Sequence, residues 1–282
     1  MTSRRQVLGK AVRRELLPNQ SPALLRELHL LTRDGNLNAD ALRKLKQVNH
    51  LVGLLQPALE DLFERFADPV IVDAGSGNAY LGFVLYELFF KDAGKGTLHC
   101  IESRPELSER ARERAKKLGF DRIVFHTATL DKAPWPERVH LLVALHACDT
   151  ATDDALLAAL RGNCDHVAVV PCCQAEVAQQ LKEHKAEVTG PLATLFDHPM
   201  HRREFGSHLT NVIRALSLEA QGYAVTVTEL TGWEHLLKNE LILGKKVRAQ
   251  SQDAKAKLDA LLAEAHVRPK LVRALYPATA AQ

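Results

Sequence analysis

The stretch Pro69-Val70-Ile71-Val72-Asp73-Ala74-Gly75-Ser76-Gly77-Asn78-Ala79-Tyr80 decides how the chain is read. A β-branched run stops at an acidic residue, and two glycines lead into an amphipathic stretch over residues 80–90. Valine and isoleucine suit a buried strand, and the apolar spacing after Tyr80 suits a helix. Glycine between them lets the backbone approach a ligand closely, and the helix N-terminus supplies free N–H groups. The third glycine of a dinucleotide fingerprint would fall at position 80, where this chain has Tyr80. That glycine allows close helix–strand packing around a pyrophosphate, so its replacement argues against a nicotinamide dinucleotide.

The same grammar continues outward. Strand candidates lie at residues 97–101, 122–125, 139–145 and 166–170, with helical patterns at 105–118, 153–160 and 175–185. This alternation implies parallel strands with helical crossovers, covered on both faces. A helix over 204–221 then leads into a strand at 223–230, and a last strand at 240–243 follows a connection too short for a crossover helix. Two strands so joined are expected to be antiparallel. The expectation is an α/β, Rossmann-like, seven-stranded, mostly parallel sheet with an antiparallel last strand. Helical patterns at 21–31 and 40–66, the second carrying Pro57 as a point of kinking, precede it, and a charged, alanine-rich helix follows from 249. The domain boundaries drawn from this are a helical extension over 1–66, the sheet domain over 67–247 and a helical tail over 248–282.

Composition narrows the classes. An apolar fraction of 46% in 282 residues allows a full core, while 5% aromatics argues against extended base-stacking platforms. A net charge of +3 permits a nucleic-acid partner without requiring one. Five cysteines, with Cys172 and Cys173 adjacent, make a poor disulfide framework and point to a reducing cytoplasm. No apolar run approaches a membrane span. The Arg4-Arg5 pair is followed by Lys10, Arg13, Arg14 and Glu15 rather than by the apolar stretch of an export signal. A cytoplasmic protein is expected.

Candidate ligand residues follow from the strand ends. Asp73, Gly75 and Gly77 form the glycine turn, with Tyr80 opening the helix. Glu102 closes the second strand at the spacing of an acid that accepts hydrogen bonds from ribose hydroxyls. Ala128 and Thr129 follow the third strand, where an adenine would lie, and Leu145 ends the fourth. A tight turn and a surface carboxylate would account for each residue singly. Their order along the chain fits S-adenosylmethionine (SAM), which lacks a pyrophosphate.

Beyond the fourth strand stands Ala144-Leu145-His146-Ala147-Cys148-Asp149-Thr150-Ala151-Thr152-Asp153, and beyond the fifth Pro171-Cys172-Cys173. With Lys46-Gln47 upstream, these segments resemble a subgroup of class I SAM-dependent methyltransferases. The subgroup is that of the methyltransferase domain of the glutathione S-transferase C-terminal-domain-containing protein. More distantly, the segments are similar to the tRNA acceptor-stem 2′-O-methyltransferases, which pair a His-x-Cys-Gly segment with a Cys-Cys-His segment. The resemblance covers roughly residues 40–247 and implies SAM-dependent methylation, with RNA (tRNA or rRNA) as the leading substrate. Two positions depart from the tRNA enzymes: Asp149 stands for the glycine, and Gln174 with Ala175 for the histidines.

In open α/β sheets the ligand crevice lies at the carboxyl ends of the strands, where His146, Asp149, Cys172 and Cys173 fall. His146 and Asp149 suit positioning or deprotonation of an acceptor hydroxyl, or His146 shapes the cofactor pocket through a backbone bond. Cys172 and Cys173 suit attack on a pyrimidine ring, zinc binding with His146 and Cys148, or packing beneath the pocket. The zinc spacing matches no familiar knuckle, so no metal is expected. The absence of an Asn/Asp-Pro-Pro-aromatic segment argues against exocyclic-amine methylation. Thr150 and Asp153 read as a helix cap. Between the fifth strand and the final pair, residues 196–205 read as a charged loop in which His198, His201, Arg202 and Arg203 would grip phosphate and Phe205 would meet a base. The basic start, with Arg4, Arg5, Lys10, Arg13 and Arg14, reads as a phosphate surface or a disordered tail. Methylation of a protein or small molecule, or a SAM-binding scaffold without catalysis, are the alternative readings.

Overall fold

The apolar runs at 70–74, 141–145 and 166–170 become strands that supply side chains to two covered faces. The computed structural model describes residues 20–31, 39–145, 147, 149–171, 174–188, 191–230 and 240–277. Its strands are β1 (Val70–Ala74), β2 (Thr97–Glu102), β3 (Ile123–Thr127), β4 (Leu141–Leu145), β5 (His166–Val170), β6 (Tyr223–Glu229) and β7 (Glu240–Lys246). They form a seven-stranded sheet in the order β3-β2-β1-β4-β5-β7-β6. β7 runs antiparallel to both β5 and β6, as the short connection before it implies. The described residues divide at Trp135 into two compact units, with Leu230 belonging to the first.

In the first unit, β1 pairs in parallel with β2 from Val70↔Thr97 to Ala74↔Ile101, and β2 with β3 from Leu98↔Ile123 to Glu102↔Thr127. The strands therefore end together, at Ala74, Glu102 and Thr127. Helices α1 (Pro22–Glu27), α2 (Ala39–Arg65), α3 (Tyr80–Leu85) and α4 (Pro105–Leu118) belong to this unit. Ser21 caps α1 by accepting the Leu24 N–H at 3.1 Å, and its own N–H donates to buried Glu87 at 2.9 Å. In α2, Leu45, Val48, Leu51, Leu55, Leu59 and Leu62 form one buried stripe, and the helix runs through Pro57 without a break. Proline removes one backbone bond; the stripe on both sides of it keeps the helix on its line. After α3 the coil widens into a π-helical turn, Tyr86–Phe90, where the Tyr86 ring stacks on Phe120 at 4.4 Å.

The second unit holds α5 (Thr150–Arg161), α6 (Glu176–Glu183), α7 (Pro199–Ala220), α8 (Gln252–Ala265) and α9 (Lys270–Leu275). β4 and β5 pair in parallel and are buried almost throughout. The C-terminal helices are packed rather than trailing: Leu258, Val267 and Val272 share a core with Val177, Leu181, Leu209 and Ile213. α7 starts five residues earlier than the sequence pattern suggests. Pro199 opens it with a backbone angle already suited to a first helical turn. Residues 199–205 are thus helix rather than loop.

Gly82 sets how closely α3 approaches the sheet. A methyl group there would lie 3.0 Å from Cys100 Sγ and 3.3 Å from Asp73 Oδ2. The close approach that a dinucleotide fold obtains from a glycine at position 80 is provided here two residues later. Gly82→Val should destabilise the protein by about 1–3 kcal/mol in denaturant unfolding, because a short buried thiol and a carboxylate cannot move aside. Gly53→Ala, where nothing lies within 4 Å of the new carbon, should gain up to about 1 kcal/mol from helix propensity. Equal effects at the two sites would contradict this packing account.

Candidate functional site

The loop between β1 and α3 folds back on the end of β2. Gly75 and Gly77 adopt φ of 72° and 57°, where a side chain is disfavoured. The N–H groups of Gly75 and Ser76 both donate to the Ile101 carbonyl, at 2.9 and 3.0 Å. The Gly77 N–H donates to Glu102 Oε2 at 2.8 Å. A carbon added at Gly77 would meet only Arg104 Nη2, at 3.9 Å, so backbone conformation rather than crowding calls for glycine there.

Glu102 is buried, yet it stays ionised. Burial raises its pKa, but bonds from Arg104 and Gly77 outweigh that and hold it below the usual range. Its Oε1 accepts from the Arg104 backbone N–H at 3.0 Å and from Nε at 2.8 Å. Arg104, for which the sequence pattern predicts no role, has a side chain 60% exposed. The arrangement keeps a charged acceptor at the strand end beside an arginine whose side chain is mostly exposed. The only local sign of it is an arginine two residues beyond the strand-terminal acid.

Asp73 is the opposite case. It is 2% exposed, and its Oδ2 has no hydrogen-bond partner among the described residues. Burial pushes its pKa up to about 7, offset in part by the Gly82 N–H and reinforced by the charge of Glu102. An orphaned buried acid beside a glycine turn suits a cationic ligand, and Glu102 suits its ribose. Ala128 joins the same corner, its N–H donating to the Glu102 carbonyl at 3.1 Å, with Thr129 exposed beside it. Tyr80 is half-buried at the first position of α3. Seven of the eight expected cofactor residues thus fall in this unit; the eighth, Leu145, ends β4 in the other.

In the second unit, His146, Cys148, Cys172 and Cys173 lie outside the described residues. Asp149 is described. It occupies the cap position of α5 with φ 50° and ψ −124° and makes no side-chain cap bond. Its Oδ1 accepts the Ala175 N–H at 3.1 Å. The expected cap of Thr150 with Asp153 is not formed. Asp153 is instead 3% exposed and paired at 2.8 Å with Arg214, itself 1% exposed, on α7. Burial still raises the Asp153 pKa, against the pull of Arg214. Arg214, Asn211 and Ser207 escape a reading of the sequence because their partners are remote along the chain. Their spacing of three and four residues does place them on one helix face.

The segment read as a phosphate-gripping loop is the amino end of α7. His198 and His201 are exposed, with rings 5.3 Å apart and edge-on. Arg203 is exposed beside Glu204. Arg202 turns back to donate to the Phe196 carbonyl at 2.6 Å, and Phe205 packs on Phe196 at 5.7 Å. These last two are committed to holding the helix start, which corrects the expectation that Phe205 is free for a base. The basic residues before position 20 lie outside the described residues. No described helix is long and apolar enough to cross a membrane.

Residues 43–180 match a family model described as a methyltransferase domain. The glutathione S-transferase C-terminal domain-containing protein of Xenopus laevis is 27% identical over 236 residues, covering 76% of this chain and 36% of that protein. Its Homo sapiens counterpart is 28% identical over 232 residues, covering 75% and 35%. The chain thus spans about a third of the length of these curated relatives. Among solved structures, an rRNA methylase from Streptococcus thermophilus is similar with a TM-score of 0.46 and 12% identity, covering 70% of this chain and 96% of that one.

Asp73 gives this corner a pH signature. Its folded pKa is raised, so it binds its proton more tightly in the folded state. The stability it contributes is complete below the ordinary carboxylate range and is lost as pH rises through about 7. Asp73→Asn should therefore melt above the wild type at pH ~8, with the gap closing as pH falls toward ~5. Thermal melts followed by circular dichroism across this range read the difference. A gap that does not change with pH would rule out a buried, protonating Asp73.

Proposed function

We propose that this chain, whose residues 43–180 match a methyltransferase-domain model, is a class I, S-adenosylmethionine-dependent enzyme that methylates RNA, with a ribose 2′-hydroxyl as the favoured acceptor. The observation that carries the substrate class is the exposed His198, His201 and Arg203 at the amino end of α7. That helix start has no side-chain cap, so backbone N–H groups lie beside the exposed imidazoles and the Arg203 guanidinium. Phosphate is the anion such an end receives. The net charge of +3 agrees with it, as does the likeness of residues 144–153 and 171–173 to the tRNA acceptor-stem enzymes. Residues 67–247 are assigned to the catalytic domain, between helical segments at 1–66 and 248–282.

SAM supplies an electrophilic methyl group on sulfur. The protein's part is to hold it and to present a nucleophile in line with it. Glu102 would accept from the ribose hydroxyls, Asp73 would offer its unpartnered oxygen to the ammonium of the amino-acid end, and the Gly75–Gly77 turn would let the backbone close on the ligand. Tyr80, Ala128 and Thr129 would border it in the same unit. On the acceptor side, His146 would take the hydroxyl proton as the oxygen bonds to the methyl carbon and the sulfur keeps the electrons of the broken C–S bond, with Asp149, Cys172 and Cys173 the other candidate residues.

Methyl transfer from tritiated SAM into an extract of cells lacking the protein tests this directly, with products divided by nuclease and protease. Nuclease-sensitive label is expected. The double variant His201→Ala/Arg203→Ala should weaken RNA binding and lower its salt slope by about one per phosphate no longer held, with SAM affinity unchanged. Protease-sensitive or small-molecule label would replace RNA as the substrate. Loss of SAM affinity in the double variant would make the α7 start structural.

A further inference from the structure

We propose that Asp149 is a latch joining the loops that follow β4 and β5, and that buried Arg214 holds it in a strained backbone conformation. Both are then positioning residues for the acceptor side of the reaction, a role that rests on the methyltransferase reading above.

The strain is specific. With φ 50° and ψ −124°, Asp149 has the backbone of the first central residue of a type II′ turn, a place for glycine. Ala79 and His266 also have positive φ, but their ψ values of 30° and 41° lie in the left-handed helical region that side chains tolerate better. Asp149 is outside it. A side chain stays in such a conformation only where its surroundings fix it from several directions.

Three bonds do so. The Asp149 carbonyl accepts from Arg214 Nη2 at 3.0 Å, and its Oδ1 accepts the Ala175 N–H at 3.1 Å. Arg214 Nε donates to Asp153 at 2.8 Å, one turn further along the helix that Asp149 caps. The same face of α7 grips the β5 loop. Gln174, beside Ala175, donates to Asn211 Oδ1 at 3.1 Å and accepts from Ser207 Oγ at 2.7 Å. Asn211 Oδ1 also accepts from Arg214 Nη1, at 3.3 Å, and its Nδ2 donates to Glu240 at 2.9 Å. One helix face thus fixes both loops, and Asp149 ties them to each other.

A guanidinium so deeply buried is a poor way merely to fill volume, because its desolvation must be offset bond by bond. An apolar side chain would pack there. It would not hold the carbonyl of residue 149 or orient Asp153. The network therefore fixes Asp149, Gln174 and Ala175, and methyl transfer is sensitive to small displacements of the groups that position its acceptor.

The test compares Asp149→Ala, Asp149→Asn and Arg214→Lys in the full chain. It reads exchange of the Ala175 amide, SAM affinity, and kcat and KM with the RNA acceptor. Asparagine keeps an oxygen for the Ala175 N–H, and alanine does not. Asp149→Ala should speed Ala175 exchange by roughly tenfold and lower kcat by roughly tenfold or more, with SAM affinity unchanged. Asp149→Asn should restore both. Arg214→Lys keeps a cation for Asp153 but not the fork that reaches Asp149, and should fall between. If Asp149→Asn is as inactive as Asp149→Ala, the carboxylate charge matters and the latch is refuted. Unchanged Ala175 exchange in Asp149→Ala refutes it as well. If the wild type transfers no methyl to RNA while Ala175 exchange follows the expected order, the substrate reading fails and the latch stands.

Discussion

Glu102 accepts the Gly77 N–H, and through that bond the end of one strand fixes the loop that leaves its neighbour. The geometry follows from parallel pairing. β1 and β2 run in register and finish side by side, so an acid closing one strand reaches the turn that follows the other. The turn can meet it only because Gly75 and Gly77 take up positive φ. The helix beyond can start there only because Gly82 lets it lie against Cys100 and Asp73. Two acids at one corner then acquire different characters. Glu102, bonded by Arg104 and Gly77, stays charged, while Asp73, buried without a partner for one oxygen, moves toward neutrality. Environment rather than residue type makes one a ready acceptor and the other an unmet demand for positive charge.

The second unit solves a related problem with different chemistry. Its loops are bound by side chains from a single face of α7, and the centre of that network is an arginine almost wholly shielded from water. Such a network is worth little as net stability, since desolvation cancels much of the attraction. It is worth more as geometry, because each donor has one place to point. The C-terminal helices extend this frame: Lys270 pairs with Asp154 at 2.5 Å, and its N–H donates to Glu176 at 2.9 Å.

Much of this was legible in the residues. β5 and α4 are found where the pattern puts them, and the antiparallel β7 follows from the length of the connection before it. The glycine turn and Glu102 were legible because local spacing and strand order determine both. The methyltransferase likeness of residues 144–153 and 171–173 agrees with the relatives found. What escaped depends on partners far away in sequence. The pairing of Asp153 with Arg214 spans 61 residues, and nothing in Thr-x-x-Asp distinguishes it from a cap. The start of α7 was hidden because His198, His201, Arg202, Arg203 and Glu204 carry charge without apolar periodicity, and charge alone resembles a loop. Gly82 was missed because the fingerprint looks for its glycine two positions earlier.

The proposal that Glu102 is the acceptor for SAM at the end of β2 is tested most directly by calorimetric titration of SAM into the wild type and into Glu102→Gln. Glutamine fills the same space but gives up the charge and one acceptor oxygen, and hydrogen bonds to a charged group contribute about 1.5–3 kcal/mol. Saturable binding to the wild type is expected, with affinity weakened by roughly tenfold or more in the variant and both proteins folded. Equal affinity in the two, or no binding to the folded wild type, would contradict it.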